Sequence, residues 1–537
     1  MTSRWDAINA IYQIYPRSFL DGNGDGTGDI AGIVKNLDYL KGDGTSLGVD
    51  AIWLSPFYPS PMADFGYDIS DYFSVDHLFG TMDDFKRLVQ GAHERDIKVM
   101  VDYVPNHTSD KHSWFVQSRS SRDNERSDWY IWRDPKPDGS APNNWLSIFG
   151  GSSWEYDEIR GQYYMHSFLK EQPDLNWDNP EVRRAMKNVL RFWMEHGVDG
   201  IRADAIWVLA KDSQFRDNPL NPDYIEGEHD PYHQFLHDHD MYGDKLFLHL
   251  KEMADVVAEF PDRIILFEDY TTDPTSWANI HSRFYEVNPD VAAPFNFEGI
   301  HAPYDSEYYR DFISRFPREL GDTLRPFYTF GNHDNSRLRS RLGDAQSRLI
   351  AMIQLTLAGI PVVYYGDEIG MKDGDITPDL VKDPFELRVP GLGLGRDPAR
   401  TPMQWSADKH AGFSTAEPWL PISKDYKTTN VASESVDPNS YFHLYRLLLK
   451  LRRRRIFRVG KYSQWEGAHG PVIGYIREHK FEKMLIIANM SDQPQEIQVA
   501  AKGDILASTH PIKERRLRGG MTLAPHQGVV IQYFLIQ

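Results

Sequence analysis

The sequence predicts an α/β protein: a closed (β/α)8 barrel (TIM barrel) with an inserted domain B after the third strand and a C-terminal antiparallel β-sandwich. Three observations support this fold class. Short apolar runs alternate with longer helical patterns, as in βα units. Polar or charged residues follow several of the runs, at the end where such barrels assemble their active sites. Near residue 457 the pattern changes to short alternating stretches separated by Gly, Pro and Asp.

Eight short runs are the candidate barrel strands: 10–14, 51–54, 97–101, 200–202, 264–267, 293–297, 327–330 and 362–365. Between the third run and its helix, a stretch rich in Trp, Tyr, Pro, Gly and charge interrupts the alternation. We therefore expect four segments along the chain: barrel at 1–107, domain B at 108–176, barrel again at 177–457 and the β-sandwich at 458–537.

Composition limits the classes of partner. The 537-residue chain has 78 acidic and 59 basic side chains, a formal charge of −19 that repels nucleic acid and anionic membranes. It has no cysteine, which excludes disulfides and thiolate chemistry. No apolar run approaches the roughly 18 residues of a membrane span. The first ten residues lack the features of a secretory signal. We expect a cytoplasmic protein, a monomer or weak homo-oligomer.

A glycine-rich stretch near the amino terminus has the form of a calcium loop. Oxygen-bearing side chains alternate with glycines, which permit a tight backbone. An EF-hand would need Glu at the twelfth position, where Gly32 stands, so a structural site of another kind is predicted. The alternatives are Mg²⁺ in the same loop, or a turn with solvated acids. No organic cofactor is expected. The candidate ligands are Asp21, Asn23, Asp25, Thr27 and Asp29.

Two acids at neighbouring strand ends have the residue types that glycoside hydrolysis needs. One carboxyl must be ionised and the other protonated. Arg202 lies two residues before Asp204 on the same side of its strand, so we expect its charge to lower the pKa of Asp204. An apolar run precedes Glu268 and offers it a desolvated place that favours protonation. Taken singly, each acid would more often be a surface or helix-capping group.

The surrounding motifs resemble the four signature regions of the α-amylase family, glycoside hydrolase family 13. They are DYVPNH at 102–107, GIRAD at 200–204, Glu268 and NHD at 332–334, and the resemblance covers residues 1 to about 457. Two further motifs, QPDLN at 172–176 and RTPMQW at 400–405, are similar to those of the oligo-1,6-glucosidase and α-glucosidase branch. Within it, the chain looks most like bacterial transglucosylating α-glucosidases.

This resemblance implies a retaining, exo-acting enzyme with Asp204 as nucleophile, Glu268 as general acid/base and Asp334 as the third catalytic residue, which binds the sugar 2- and 3-hydroxyls. Asp64 and Arg400 would pair, bind the 4- and 6-hydroxyls of the non-reducing glucose and close the site behind it. The other residues implied are Tyr67 beneath the ring, His107, Arg202 and His333 at its hydroxyls, and Phe149 and Phe168 at the rim of the next subsite.

The residue after the nucleophile carries information about linkage in this branch. Val accompanies α-1,6 specificity, whereas Ala or Thr accompanies α-1,4. Ala205 therefore predicts short maltose-type substrates, with sucrose as a further candidate and glucosyl transfer to a sugar or alcohol acceptor. The chain departs from the branch pattern after Glu268, where Asp269 and Tyr270 replace the more usual small or apolar residues.

Three alternatives remain. One is an oligo-1,6-glucosidase. A second is a transferase of the sucrose isomerase or trehalose synthase type; sucrose isomerases carry an RLDRD loop, whereas residues 336–346 have the sequence SRLRSRLGDAQ. The third is a non-catalytic sugar-binding homologue, such as the heavy chains of amino-acid transporters. Those lack the acids and carry a membrane helix, while this chain keeps the acids.

Overall fold

A computed structural model describes residues 4–271, 277–321 and 324–534. The β-strands within these ranges are β1 (Ile11–Ile14), β2 (Ala51–Leu54), β3 (Lys98–Tyr103), β4 (Trp132–Arg133), β5 (Trp154–Asp157), β6 (Gln162–Met165), β7 (Gly200–Ala203), β8 (Ile264–Phe267), β9 (Ala292–Asn296), β10 (Phe327–Thr329), β11 (Ile360–Tyr364), β12 (Lys461–Gln464), β13 (Val472–His479), β14 (Glu482–Asn489), β15 (Gln495–Ser508), β16 (Arg516–Leu523) and β17 (Gly528–Phe534).

The α-helices within the described ranges are α1 (Pro16–Phe19), α2 (Ile30–Lys35), α3 (Leu37–Leu40), α4 (Met82–His93), α5 (Ser113–Ser120), α6 (Pro180–Glu195), α7 (Leu246–Val257), α8 (Trp277–Val287), α9 (Glu298–His301), α10 (Ser306–Glu319), α11 (Leu338–Leu342), α12 (Asp344–Thr356), α13 (Pro384–Arg388), α14 (Val431–Val436), α15 (Tyr441–Arg452) and α16 (Arg455–Val459). Short 3-10 helices occur at Arg4–Ala7, Ile206–Val208, Pro231–Gln234, Asp367–Ile369, Asp397–Arg400 and Lys409–Gly412.

Eight parallel strands close into a barrel in the order β1, β2, β3, β7, β8, β9, β10 and β11, with β11 pairing back to β1. The predicted (β/α)8 barrel is confirmed, and each predicted run overlaps one of its strands. Nearly every strand residue is buried because helices cover the outside and side chains fill the inside. Trp53, Met100, Leu266 and Phe295 pack together in this interior.

The outer helices begin at residues that can cap a helix and continue through stretches whose apolar residues have helical spacing. Thr81 caps α4 through a capping box with Asp84, and α4 buries Phe85, Leu88 and Val89 on one face. Asn179 caps α6, and Pro180 at its first position suits a helix start. These helices hold the strands whose carboxyl ends form the site.

Between β3 and α6 the chain forms a separate antiparallel sheet in the order β4, β6, β5. The end of this insertion returns to the barrel. The Leu175 N–H donates to the Asn106 carbonyl at 2.8 Å, and the backbones of Asp174 and His107 form an isolated antiparallel β-bridge. The insertion therefore lies over the end of β3. The predicted boundaries of the domains stay predictions.

The C-terminal strands form one curled antiparallel sheet in the order β12, β13, β14, β17, β15, β16. Its core includes Leu485, Ile487, Ile505 and Val529. The predicted C-terminal antiparallel β-sandwich is thus confirmed as an antiparallel β domain, whose strands pair in this one curled sheet. Among the described helices, none has the length and apolarity that a bilayer crossing requires.

Candidate active site

A cavity of about 220 Å³ opens at the carboxyl ends of the barrel strands. The strand ends, the insertion after β3 and the loops after β7, β8 and β11 all contribute to its walls. The predicted site residues that line it are Asp64, Tyr67, His107, Phe149, Phe168, Asp204, Ala205, Glu268, His333 and Asp334. Arg202 and Arg400 are buried, with 1% and 0% of their surfaces exposed, and contact these residues from beneath.

Arg202 contacts both predicted catalytic carboxylates with one guanidinium. Its Nη1 binds Asp204 Oδ1, and its Nη2 binds Glu268 Oε1. The fold explains this arrangement, because β7 pairs with β8 and both acids follow directly after these strands. The side chains of Asp204 and Glu268 are 10% and 4% exposed, so both charges lie in a poorly solvated place.

The second oxygen of Glu268 is also held. The Ala205 N–H donates to Glu268 Oε2 at 2.6 Å. Ala205 adopts a left-handed conformation with φ of 47°, which is uncommon for a residue with a side chain. This turn after Asp204 directs the amide toward the neighbouring acid. Backbone conformation and carboxylate position are therefore linked at this residue.

Burial raises the pKa of Glu268 well above its ordinary value; the negative charge of Asp204 adds to this effect and Arg202 opposes it. Burial also raises the pKa of Asp204, against the lowering effect of Arg202 and His107. Arg202 lowers the pKa of Asp204 as expected from the sequence, but desolvation is the larger effect, so the net shift is upward. Glu268 has the more strongly raised pKa and retains a proton more readily.

Asp334 has the opposite behaviour. Burial favours its neutral form, but His333, Arg400 and Arg396 together bring its pKa below the ordinary value. Arg400 Nη2 lies 2.9 Å from Asp334 Oδ1, and Arg396 Nη1 lies 3.5 Å from the same atom. The Asp334 side chain is 25% exposed, more than either Asp204 or Glu268. It therefore presents an ionised carboxylate to the cavity.

The ion pair of Asp64 differs from the prediction. Arg396 Nη2 lies 2.7 Å from Asp64 Oδ1 and 2.6 Å from Asp383 Oδ1. Arg400 instead uses Nη2 for Asp334 and donates from Nε to the His333 carbonyl at 2.8 Å. The predicted Asp64 to Arg400 pair is corrected accordingly, because the Nε and Nη2 of Arg400 bind His333 and Asp334 in the loop after β10. Sequence reasoning missed Arg396, although it lies only four residues before Arg400.

A hydrogen-bonded group of neutral side chains surrounds these charges. Gln172 Nε2 donates to Asp64 Oδ2 at 3.2 Å and lies 3.1 Å from His107 Nε2. The Tyr67 hydroxyl lies 2.6 Å from His333 Nε2, and the two rings are stacked at 5.4 Å. Burial lowers the pKa of both His107 and His333, so both rings are neutral near pH 7.

A buried acid below the cavity supports Tyr67 and Arg202. Asp102 Oδ2 accepts the Tyr67 hydroxyl at 2.9 Å, and Asp102 Oδ1 lies 3.3 Å from Arg202 Nη1. Trp53 Nε1 also donates to Asp102 at 3.0 Å, which connects the site to the barrel interior. Burial raises the pKa of Asp102 to about 7. The sequence placed Asp102 in a motif but gave no reason to assign it this supporting position.

Aromatic side chains form the outer walls. Phe149 and Phe168 meet edge to face at 5.6 Å, and Phe385 stacks on Phe149 at 5.0 Å. On another side lie Trp207 and Tyr270, which meet edge to face at 5.5 Å. The sequence pointed to Phe149 and Phe168 only. The remaining wall residues come from irregular loops far apart in the chain, which no motif joins.

The candidate metal loop uses its side chains on its own backbone. Asp21 accepts the amides of Asn23 at 3.0 Å and Gly26 at 2.8 Å. Asp25 accepts the Thr27 amide at 2.8 Å, and Asp29 caps α2 by accepting Gly32 at 2.6 Å. Within the described ranges, no three His, Asp or Glu side chains converge as in a metal site. The calcium site stays a prediction.

A closed parallel barrel with a buried Asp and Glu on one arginine defines a class of protein. It has the fold and the pair of carboxyl groups that glycoside hydrolases use. A family model described as "Alpha amylase, catalytic domain" matches residues 13–460. The chain belongs to the α-amylase family of glycoside hydrolases.

Individual relatives agree with this assignment. The chain is 40% identical over 531 residues to an oligo-1,6-glucosidase of Heyndrickxia coagulans, and the alignment covers 92% of this chain and 93% of the relative. It is 40% identical over 510 residues to a probable α-glucosidase of Rhizobium meliloti, with 91% and 90% covered. Among solved structures, the α-glucosyl transfer enzyme XgtA superposes with a TM-score of 0.90 at 36% identity, covering 99% of this chain and 100% of that one.

Proposed function

We propose that this protein is a retaining, exo-acting α-glucosidase that removes terminal non-reducing α-glucosyl units from short oligosaccharides. The observation that carries the proposal is the Arg202 guanidinium, which contacts both Asp204 and Glu268. A single guanidinium brings the two carboxyl groups close together. Retaining enzymes need a separation of about 5–5.5 Å, whereas inverting enzymes leave room for a water at about 6.5–9.5 Å.

The unequal environments of the two acids support their assignment. Glu268 has the more strongly raised pKa and serves as general acid toward the leaving oxygen. Asp204 attacks the anomeric carbon and forms a β-glucosyl enzyme. Water or a second hydroxyl, activated by the now ionised Glu268, then releases the glucosyl unit. The ionised Asp334 binds hydroxyls of the same sugar and does not react itself.

The small size of the site supports exo action on small substrates. Its cavity of about 220 Å³ is smaller than the roughly 300–1,000 Å³ of sites for drug-sized ligands. The ion pair between Asp64 and Arg396 lies in its wall and closes it beyond the terminal glucose. These two side chains supply the acceptor and the donors that the 4- and 6-hydroxyls need.

Ala205 supports a preference for α-1,4 linkages, because a small side chain leaves space beside the leaving group. It is buried in the cavity wall next to Glu268. The relatives carry names of both α-glucosidases and oligo-1,6-glucosidases, so α-1,6 cleavage is the second candidate. The likeness to an α-glucosyl transfer enzyme supports transfer of the glucosyl unit to a sugar or alcohol acceptor.

Product analysis by NMR with maltose, sucrose and isomaltose tests the proposal. We expect α-glucose as the first product, a higher kcat/KM with maltose than with isomaltose, and new α-glucosides at high acceptor concentration. A first-formed β-glucose would contradict retention. A higher kcat/KM with isomaltose would leave retention intact and overturn the linkage preference.

We also propose that Asp21, Asn23, Asp25, Asp29 and the Thr27 carbonyl bind a structural calcium ion, with magnesium as the alternative. The proposal rests on the alternation of oxygen donors in one tight loop, since hard cations prefer oxygen ligands. The cytoplasmic location stays a prediction from the sequence of the first ten residues.

A further inference from the structure

Asp269, the residue after Glu268, is buried and hydrogen-bonded away from the cavity. Its Oδ1 accepts the Tyr242 hydroxyl at 2.5 Å and the Thr271 hydroxyl at 2.9 Å. His281 Nε2 on α8 lies 3.5 Å from its Oδ2. Burial raises the pKa of Asp269 to about 6, so near pH 7 the carboxylate is ionised and depends on these donors for stabilisation.

Tyr242 comes from the long segment between β7 and α7, which begins beside the nucleophile. Its backbone N–H donates to the Trp207 carbonyl at 2.8 Å, and Trp207 lines the cavity. Its φ of 49° places it in the left-handed region, where a side chain persists only if its surroundings hold it. Through Tyr242, the loop after β7 is therefore bonded to the turn after β8.

The next residue fixes the same turn from the opposite side. Tyr270 lines the cavity, stacks on Phe297 at 4.5 Å and accepts a hydrogen bond from Asn332 Nδ2 at 2.9 Å. Asp269 and Tyr270 thus hold the turn after Glu268 between the outer layer and the cavity. The side chain of Glu268 has little freedom while both attachments persist.

We propose that Asp269 and Tyr242 are positioning residues that keep the Glu268 carboxyl aligned for proton transfer to the leaving oxygen. The inference rests on the proposed function of Glu268. In that step the Glu268 proton moves to the glycosidic oxygen, the bond from that oxygen to the anomeric carbon breaks, and Asp204 Oδ forms the new bond to that carbon. Neither Asp269 nor Tyr242 contacts the substrate.

Substrates with different leaving groups distinguish a misaligned Glu268 carboxyl from a general loss of folded, active enzyme. Maltose releases a sugar alkoxide that needs the proton, whereas 4-nitrophenyl α-glucoside releases a phenolate that leaves almost unaided. Tyr242→Phe removes only the hydroxyl that holds Asp269. We expect kcat/KM on maltose to fall about tenfold, within the range that misplaced acid catalysts lose. The value on the aryl glucoside should stay within about twofold.

Tyr308→Phe is the matched control, because Tyr308 donates to another buried carboxylate, Glu298, at 2.9 Å and neither residue lines the cavity. This variant should lose stability. Its ratio of kcat/KM on maltose to kcat/KM on the aryl glucoside should equal that of the parent enzyme. Asp269→Asn retains an acceptor for Tyr242, so it should keep most of the maltose activity. Asp269→Ala removes the acceptor of Tyr242 and Thr271 altogether, so it should show the same selective loss on maltose and tests the proposal if Tyr242→Phe folds poorly.

Each outcome bears on one proposal. If both substrates lose rate equally in Tyr242→Phe, or if Tyr308→Phe shows the same ratio change, the positioning role is overturned. If the unmodified enzyme cleaves neither maltose nor the aryl glucoside, the proposed function itself fails. A selective loss on maltose in Tyr242→Phe that Asp269→Asn does not share establishes the positioning role.

Discussion

Arg396 forms an ion pair with Asp64 across the wall of the cavity, with 2.7 Å between Nη2 and Oδ1. The two side chains are 8% and 5% exposed, so the pair is nearly desolvated. The same guanidinium also contacts Asp383 and approaches Asp334. One planar group therefore organises three acids, which a point charge on a flexible stem does not reproduce.

Arg396→Lys is the sharpest test of this arrangement, because it keeps the positive charge and removes the planar guanidinium with its two donor nitrogens. We expect kcat/KM on maltose to fall about 10²-fold, equivalent to loss of one or two charge-assisted hydrogen bonds. The measurement is steady-state kinetics with glucose detection. Arg318→Lys is the control, since its pair with Asp311 is exposed and exposed pairs contribute little. If Arg396→Lys keeps an activity within about twofold of the parent enzyme, the planar guanidinium is not needed at this position.

Ala205→Val should shift the linkage preference toward isomaltose. The two added methyl groups narrow the space beside Glu268, and the maltose to isomaltose ratio of kcat/KM should fall about tenfold, the discrimination that one or two methyl groups supply. Because residue 205 has positive φ, a β-branched side chain should also destabilise the fold by about 1–3 kcal/mol.

Ala205→Gly separates these two effects, because glycine accepts positive φ without adding volume. It should leave the melting temperature close to that of the parent and keep the maltose preference. A Val variant that is less stable but has an unchanged substrate ratio would show that residue 205 does not set linkage.

The raised pKa of Glu268 makes stability depend on pH with a definite sign. Above about pH 4.3 the unfolded chain releases this proton while the folded protein keeps it. Stability therefore falls as pH rises toward the folded pKa. Glu268→Gln removes this dependence. The melting temperature of the variant minus that of the parent should therefore increase as the pH is raised from 5 to 8. Its kcat on maltose should fall about 10²- to 10⁴-fold, the usual contribution of general acid–base catalysis.

Calorimetry across this pH range gives the measurement. Glu228→Gln is the matched control, because Glu228 is exposed in the segment between β7 and α7. Its melting curve should follow that of the parent at every pH. Parallel curves for Glu268→Gln and the parent would mean that Glu268 titrates normally in the folded protein.

The sequence predicted the barrel because its strands are short and apolar on both faces, a pattern that few other folds require. It also placed Asp204 and Glu268 at adjacent strand ends, since residue order along parallel strands translates directly into neighbours. The resemblance assigned Arg400 to Asp64, and sequence spacing could not have identified Arg396 as the partner instead. Both arginines lie in one irregular segment, where spacing does not determine which guanidinium reaches which carboxylate.

The net upward shift of the Asp204 pKa could not be predicted for a different reason. Charge proximity was visible in the sequence, because Arg202 is two residues away on the same strand. Burial was not visible, and only the folded structure shows that desolvation raises the pKa of Asp204 despite the adjacent cation. Likewise, the bond between Tyr242 and Asp269 joins residues 27 positions apart through an irregular loop. Periodicity carries no signal for such a contact.

Removal of metal should destabilise the protein if the loop at Asp21 binds calcium. Elemental analysis after dialysis against calcium-free buffer should find about one calcium per chain, and a chelator should lower the melting temperature by several degrees, since a ligand bound only by the folded state stabilises it. Asp25→Asn removes one charge from an exposed ligand and should weaken binding while leaving the fold intact. Asp138→Asn, in another exposed turn that its carboxylate holds, is the control. Metal-free protein with an unchanged melting temperature would assign the loop to a turn that Asp21 stabilises through backbone hydrogen bonds alone.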